Sequence, residues 1–321
     1  MRRTDPARLV LAAFRFFARA PEWLSRGIML VAADLVWLRH GPGVRQLEAN
    51  LRAARPDADR RELRRLSRAG MRTYLRYFAE AFVLPRLTPE QIDARVRALG
   101  TEAPLVECGN GRPVVLALAH QGNWDLAGAW ATVHLAPATT VAERLNPPEV
   151  YEEFRRMREA IGMTVIPLDE GQDVFRQLVR ACRAGNVLIP LVADRDLTSR
   201  GVEVDLLGQR ARVAAGPAAL AIAAGAMVVP TTLRHERLRG ARRRAAGSPW
   251  GIVVTFHPPI PVPDGVGRTE QVRIMTQAWA DVLGADIARY PTHWHMLQKV
   301  FVAHLDPARY AATLAAAGEE T

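Results

Sequence analysis

Cysteine is scarce in this chain of 321 residues. Cys108 and Cys182 are the only two cysteines, they lie far apart, and neither belongs to a C-x-x-C pattern or to a His/Cys cluster. This scarcity excludes a disulfide framework and gives no indication of a metal site, because both need several cysteine or histidine residues at short spacings. We expect both cysteines to be reduced.

Long hydrophobic runs are also missing. The best candidate, Gly27 to Leu38, holds about twelve residues and is interrupted by Asp34, whereas a membrane-spanning helix needs ~20. The N-terminus carries arginines and an apolar region, but no small-residue cleavage site follows. We therefore expect a protein of the cytosol or of the cytosolic face of a membrane.

Lysine is nearly absent, yet the chain is strongly basic. Lys299 is the single lysine among 43 basic residues, and the formal net charge is +10 at pH 7 with a sequence isoelectric point near 10.7. Arginine thus carries almost all of the positive charge. A charge of this size favours anionic lipid surfaces, nucleic acids or phosphate-bearing substrates as partners.

One stretch, Val114 to Asp125, organises the rest of the chain. Its first six residues, Val114 to Ala119, are small or branched and apolar, which is typical of a fully buried strand. His120 and a G-N turn follow, and then an alanine-rich helix over residues 126–133. Open α/β sheets place reactive groups at such strand ends. Here His120 and Asp125 could together take a proton from a hydroxyl, although a His and an Asp at this spacing also occur by chance.

Strand-like and helix-like segments alternate after this turn. Strands are predicted at 139–143, 163–167, 186–193, 202–207, 227–233 and 251–257, and helices at 149–161, 173–183, 214–225 and 269–288. The alternation predicts an α/β fold with a central, mostly parallel sheet flanked by helices, in a single domain over residues 41–310. We expect an exposed arginine-rich loop over residues 234–247 and a frayed tail over residues 311–321.

Two helical segments combine aromatic residues with arginine. Residues 1–40 are predicted to form an amphipathic helical segment, with Pro21 separating two helices. Such a segment could lie in the headgroup region of an anionic bilayer. It could equally form a helical hairpin that packs on the body of the protein and exposes its arginines to solvent. Residues 59–84 predict a long helix whose arginine-rich face is compatible with solvent, nucleic acid or membrane.

Charged residues follow three of the predicted strands. The pairs are His120 with Asp125, Glu143 with Arg144, and Asp194 with Arg195, while Arg158 lies in the helix after the second pair. Each pair alone is equally typical of a surface salt bridge. Because the carboxyl ends of parallel strands meet at one edge of a sheet, we expect the three pairs to converge there on one site.

The H-Q-G-N-W-D sequence at residues 120–125 resembles the H-x-x-x-x-D signature of the membrane-associated glycerolipid and lipid A acyltransferase superfamily. The blocks A-E-R-L at 142–145 and A-D-R-D-L at 193–197, with W-H-M-L-Q at 294–298, extend the resemblance over residues 50–305. The first two blocks favour the phosphatidylinositol mannoside acyltransferase branch over the lipid A branch. The resemblance implies a glycerolipid acyltransferase-like fold, with the N-terminal segment associating with the membrane.

The chemistry implied by the resemblance is acyl transfer from a long-chain acyl-CoA to a mannose hydroxyl of a phosphatidylinositol mannoside. It implies that His120 is the general base and that the acidic residue Asp194 orients the imidazole. Asp125 would hold the acceptor hydroxyl or, as in other branches, orient His120 itself. The implied substrate-binding residues are Glu143, Arg158, Arg195, Asn123 and Trp124. No covalent acyl-enzyme, metal or cofactor is expected, because a thioester is already activated and no G-x-S-x-G elbow is present.

The implied location is the cytoplasmic face of the plasma membrane, with an anionic membrane surface as partner. Two other function classes stay open beside this one. The first is a lipid A-type or lysophospholipid acyltransferase with a different acceptor or with acyl carrier protein as donor, and the second is a non-catalytic basic protein of the membrane surface. We expect no nucleic-acid partner, because no recognised module or aromatic stacking platform accompanies the charge.

Overall fold

The computed structural model describes residues 16–143, 148–168 and 173–319. Its helices are α1 (Glu22–Arg39), α2 (Pro42–Ala54), α3 (Arg60–Val83), α4 (Pro89–Arg95), α5 (Glu102–Gly109), α6 (Trp124–His134), α7 (Pro148–Ala160), α8 (Val174–Arg183), α9 (Gly216–Ala224), α10 (Gly240–Ala246), α11 (Arg268–Arg289) and α12 (Pro307–Glu319). Its strands are β1 (Val96–Leu99), β2 (Val114–Leu118), β3 (Ala138–Glu143), β4 (Met163–Leu168), β5 (Leu188–Val192), β6 (Gly201–Leu206), β7 (Gln209–Ala214), β8 (Met227–Arg237) and β9 (Trp250–Phe256).

A seven-stranded sheet in the order β1-β9-β8-β2-β5-β3-β4 forms the centre of the molecule. All neighbouring strands run parallel except β8 and β9, which are antiparallel. Strand β2 lies between β5 and β8, with Val114 in register with Leu188 on one side and Met227 on the other. The prediction of a mostly parallel sheet flanked by helices is therefore confirmed.

Helices cover both faces of this sheet, which explains why β2 is apolar throughout. Val115 and Ala117 join a core cluster with Trp279 of α11, whereas Val114 and Leu116 join the opposite cluster with residues of α6. A strand buried on both faces has no polar alternation, because each successive side chain enters a hydrophobic layer. Both cysteines are free and buried, one in each cluster.

The N-terminal helices pack on one another beside the sheet. Leu47 and Leu51 of α2 form a small core with Met71 of α3 and with α1. Asp34 of α1 accepts hydrogen bonds from Arg68 and Arg72 of α3, and these bonds hold the pKa of its carboxyl well below the usual range. Helix α1 is thus packed along one side.

The other side of α1 is exposed and apolar. It presents the side chains of Trp23, Val31, Leu35 and Leu38, each at least half exposed. The part of the predicted segment before residue 16 lies outside the described residues. No helix within the described ranges is both long and apolar enough to cross a bilayer.

The prediction of a loop over residues 234–247 is wrong, although most of the arginines there are exposed as expected. Strand β8 continues through Arg237 because its last residues pair antiparallel with β9, and α10 occupies residues 240–246. Two of the arginines that suggested a loop make contacts: Arg237 lies 4.8 Å over the Trp250 ring, and Arg242 donates to Glu236. Residues 311–319, part of the tail that we expected to be frayed, belong to helix α12.

Candidate active site

The turn after β2 is held by the chain segment at residues 293–295. The backbone N–H of His295 donates to the carbonyl of His120 at 2.7 Å, and that of Gly122 donates to the carbonyl of His293 at 3.1 Å. Gly122 has φ +57, and a Cβ there would meet Leu233 backbone and side-chain atoms at 3.0 Å. Only glycine fits this position, and the turn therefore presents His120 from a fixed backbone.

Asp194 is hydrogen-bonded to the His120 ring. Asp194 lies just beyond β5, the strand beside β2, and its Oδ1 is 2.6 Å from His120 Nδ1. Its Oδ2 accepts the backbone N–H of His120 at 3.1 Å and the Trp294 Nε1–H at 2.7 Å. The Asp194 side chain is 2% exposed and that of His120 is 41% exposed. This leaves Nε2 as the free nitrogen on an accessible ring.

The pair is electrostatically matched. Burial lowers the pKa of His120, but the charge and the hydrogen bond of Asp194 outweigh it and raise that pKa above the ordinary 6.5. Burial opposes the charge on Asp194, yet His120 and the Trp294 N–H lower the pKa of the carboxyl below its ordinary value. Each partner therefore favours the charged form of the other.

Asp125 has different partners. Its Oδ1 accepts from Arg158 Nε at 2.7 Å, and its Oδ2 accepts from the Tyr77 hydroxyl at 2.6 Å. Its side chain is fully buried. Burial lowers the pKa of Arg158, but the Asp125 carboxylate raises it above the ordinary value. Of the two candidates for orienting His120, the structure brings Asp194 and not Asp125 to the imidazole.

A small cavity lies between the Asp125–Arg158 pair and the sheet. Its volume is about 50 Å³, and its walls include Leu118, Thr140, Val192 and the Trp124 ring. The Trp124 ring packs on Tyr77 with centroids 4.2 Å apart and meets His120 edge-on at 5.9 Å. Trp124 therefore contacts one hydrogen-bond partner of each buried carboxylate: Tyr77, which bonds Asp125, and His120, which bonds Asp194.

Asn123 is engaged inside the protein. Its Oδ1 accepts the Leu126 N–H at 2.9 Å and caps α6, and its Nδ2 donates to Glu80 Oε2 at 2.9 Å. Both ends of the amide are occupied, and the residue is fully buried. Its observed contacts are those of a helix cap rather than of a group open to a ligand.

Glu143 and Arg195 lie at neighbouring strand ends. Glu143 is the exposed last residue of β3, which is separated from β2 by β5. Arg195 follows Asp194 directly, and its Nε donates to the carbonyl of Lys299 at 3.0 Å. Arg144, the partner predicted for Glu143, lies outside the described residues.

Several residues near His120 did not emerge as site candidates from the sequence. Trp294 is fully buried against Asp194, and Glu80 links Asn123 to His235. His295 is 6% exposed, and neither of its ring nitrogens has a partner in the structure. The W-H-M-L-Q block contains the signal for Trp294 and His295, but its distance along the chain from His120 hides the contact. Among the described residues, no group of three or more His, Cys, Asp and Glu side chains forms a metal site.

A mostly parallel sheet with a carboxylate-bonded histidine in an H-x-x-x-x-D turn is the arrangement that the resemblance to the lipid A acyltransferase class leads us to expect. The family model of the bacterial lipid A biosynthesis acyltransferases matches residues 4–302. The chain belongs to this family and is an acyltransferase.

Curated relatives lie in one branch of that family. The chain is 36% identical over 302 residues to a phosphatidylinositol mannoside acyltransferase of Mycolicibacterium smegmatis, covering 94% of this chain and 92% of that protein. It is 37% identical over 302 residues to the phosphatidylinositol mannoside acyltransferase of Mycobacterium tuberculosis, covering 91% and 87% respectively. The crystal structure of the 1-acyl-sn-glycerophosphate acyltransferase PlsC from Thermotoga maritima aligns with a TM-score of 0.37 at 14% identity, covering 84% of this chain and 99% of that one.

Proposed function

We propose that this protein transfers a long-chain fatty acyl group from acyl-CoA to a mannose hydroxyl of a phosphatidylinositol mannoside. The observation that carries the proposal is the His120–Asp194 pair, whose Nδ1–Oδ1 distance of 2.6 Å leaves Nε2 free on an accessible ring. The names of the mycobacterial relatives support the choice of acceptor.

In the proposed reaction, His120 Nε2 takes the proton of the mannose hydroxyl while the sugar oxygen attacks the thioester carbonyl. Asp194 stabilises the imidazolium that forms and keeps Nε2 as the nitrogen aimed at substrate. The carbon–sulfur bond then breaks, an ester forms, and the CoA sulfur leaves with the proton that His120 carried. No group besides the acyl donor is required, because the thioester is already activated.

The proposed roles of the remaining site residues follow from their positions around His120. We assign Trp124 to the wall beside the reacting hydroxyl, and Glu143 and Arg158 to acceptor contacts. Arg195 lies beside Asp194 and is assigned to a phosphate of one substrate. Asp125 fixes Arg158 and completes the site from the far side of the turn, and Asn123 acts on the site by holding that turn in shape.

We also propose that the protein works as a peripheral protein on the cytoplasmic face of the plasma membrane. The exposed apolar face of α1, with arginines elsewhere on the N-terminal helices, suits the headgroup region of an anionic bilayer. Replacing Trp23 and Leu38 together by serine should lower binding to vesicles containing phosphatidylinositol, and binding should weaken further with salt. Serine at Val133, an exposed residue of α6, is the matched control; equal binding by all proteins would contradict this surface.

The direct test of the reaction uses palmitoyl-CoA and purified phosphatidylinositol dimannoside. CoA release and acylated mannolipid are followed separately, so that thioester hydrolysis is not counted as transfer. His120→Ala should lower transfer about 10²- to 10⁴-fold, the usual contribution of a general base. His134→Ala, at the other end of α6 in an exposed pair with Asp93, is the control; undiminished transfer by His120→Ala would remove the mechanism.

The rival function keeps the chemistry and changes the substrates. The family model that the chain matches is described by lipid A biosynthesis, so a lipid A-type or lysophospholipid acceptor is the second candidate. Offering the same enzyme acyl carrier protein thioesters and other lipid acceptors separates the two. Transfer to a lysophospholipid or a lipid A precursor with none to the mannolipid would replace the proposed acceptor.

A further inference from the structure

Two basic residues, Arg195 and Lys299, lie on the two chain segments that meet at Asp194 of the His120–Asp194 pair. Arg195 follows Asp194 directly and is half-buried, and Lys299 is exposed on the segment that follows Trp294. The Arg195 Nε donates to the Lys299 carbonyl at 3.0 Å and joins the two segments. Residues from both segments also meet at Asp194, which accepts from Trp294, so the two cations are attached to the same framework as the catalytic pair.

Neither cation is neutralised by a protein carboxylate. Within the described ranges, Arg195 and Lys299 take part in no salt bridge, and the two terminal nitrogens of Arg195 have no hydrogen-bond partner. The acid next in sequence, Asp196, uses its Oδ1 to accept the Thr198 N–H at 2.8 Å. The Arg195 charge reaches the catalytic histidine, since it lowers the pKa of His120 against the effect of Asp194.

We propose that Arg195 and Lys299 form a phosphate-binding subsite beside the catalytic histidine. The arginine has one N–H fixed by the backbone and two nitrogens free, which leaves a fork suited to two phosphate oxygens, and the lysine adds a mobile point charge. Fixing the guanidinium in advance lowers the ordering cost of binding. The inference rests on the proposed function for its substrates, since both carry phosphate: the acyl-CoA donor, and the phosphodiester of the acceptor.

The single lysine makes the site measurable without acyl transfer. Acetylation by sulfo-N-hydroxysuccinimide acetate modifies Lys299, and the peptide containing it is quantified by mass spectrometry with the α-amino group as internal reference. Adenosine 3′,5′-bisphosphate, glycerophosphoinositol and adenosine are compared as protecting ligands. We expect at least one phosphate-bearing ligand to slow Lys299 acetylation several-fold and adenosine to leave it unchanged. Equal acetylation with all three would overturn the subsite, whatever the fate of the proposed reaction.

Kinetics then identify which phosphate binds. Lys299→Gln keeps the backbone carbonyl that holds Arg195, and it should raise the affected KM about threefold with kcat nearly unchanged; Arg195→Gln should raise it about tenfold. Lys299→Arg should keep most of the wild-type KM. The control for net charge is Arg183→Gln, at the exposed end of α8 near the amino end of β5.

The two sources give different patterns. A donor phosphate is indicated when the KM for palmitoyl-CoA rises but that for palmitoyl-N-acetylcysteamine, a thioester without phosphate, does not. An acceptor phosphate is indicated when the KM for the mannolipid rises with both donors. Unchanged KM values for every substrate in both glutamine variants would overturn the proposal.

Discussion

Two buried aspartates flank the same turn and have opposite surroundings. Asp194 binds an imidazole, a backbone N–H and an indole N–H, while Asp125 binds a guanidinium and a phenol. The partner of Asp194 gains and loses a proton near neutral pH, whereas the partner of Asp125 is permanently charged. The first carboxylate can therefore take part in proton transfer, and the second is a fixed counter-ion.

Strand order explains this division. Asp194 follows β5, which pairs directly with β2, so its side chain meets His120 across adjacent strand ends. Asp125 lies in the first turn of α6, where Tyr77 of α3 and Arg158 of α7 reach it. The H-x-x-x-x-D signature thus places its His and its Asp in two separate hydrogen-bonded groups that share one turn.

The variant with the largest expected effect is Asp194→Asn. It keeps the shape of the side chain but removes the charge that orients and stabilises the imidazolium, so kcat for acyl transfer should fall about 10³-fold. The measurement is mannolipid formation at saturating substrates. Asp196→Asn, two residues further along, is the control and should stay within about twofold of wild type. A loss below tenfold in Asp194→Asn would assign the orientation of His120 to another group.

Asp125→Asn should act chiefly on stability. It leaves the buried Arg158 without its counter-ion, which typically costs about 3–5 kcal/mol in the free energy of unfolding. Urea denaturation measures the loss, and Asp93→Asn, which removes an exposed partner of His134, should cost less than about 1 kcal/mol. The double variant Asp125→Asn with Arg158→Gln should lose less than the sum of the single variants. Additive losses would show that the pair is not coupled.

The pH dependence of kcat/KM should separate the two carboxylates further. As the proposed general base, His120 acts only when neutral, so kcat/KM should rise with pH through a pKa that Asp194 holds above the ordinary 6.5. In Asp194→Asn the effects of burial and of Arg195 remain, and both lower the pKa of His120. The rising limb of the plot of kcat/KM against pH should therefore move to lower pH. Asp93→Asn should leave it in place. A limb that moves upward or stays fixed in Asp194→Asn would contradict the assigned coupling.

The same pair should contribute to stability with a defined sign. The folded-state pKa of His120 is raised, so the contribution is fully present below the unfolded-state value of about 6.5 and is lost as pH rises through the folded-state pKa. The difference in unfolding free energy between wild type and His120→Gln should therefore shrink as pH increases over this interval. A difference that grows with pH would reverse the sign of the coupling.

The sequence predicted the parts of the site that depend on local pattern. An apolar run, a glycine turn and a helix are sufficient to place His120 at a strand end, and parallel strands are sufficient to bring Asp194 to the same edge. Contacts between distant segments could not be predicted in this way. Trp294 is 100 residues from Asp194, and the contact of Arg237 with the Trp250 ring depends on the pairing of β8 with β9. Arginine in particular is ambiguous in a sequence, because its long stem and planar head suit both solvent and an aromatic face.

The smallest expected effect comes from Trp294→Phe, which removes the third donor to Asp194 while keeping an aromatic ring beside Phe301. A hydrogen bond to a charged group contributes about 1.5–3 kcal/mol, and the change of ring volume adds its own loss. Trp279→Phe is the matched control, since Trp279 is equally buried but its Nε1 has no partner in the structure. The difference in unfolding free energy between the two variants should equal the contribution of the Trp294–Asp194 hydrogen bond. Only Trp294→Phe should also lower kcat, by a few-fold, because Asp194 Oδ2 keeps the His120 backbone N–H at 3.1 Å but loses its shorter hydrogen bond, the one from the indole at 2.7 Å. Equal losses in the two variants would show that the indole acts on Asp194 by packing alone.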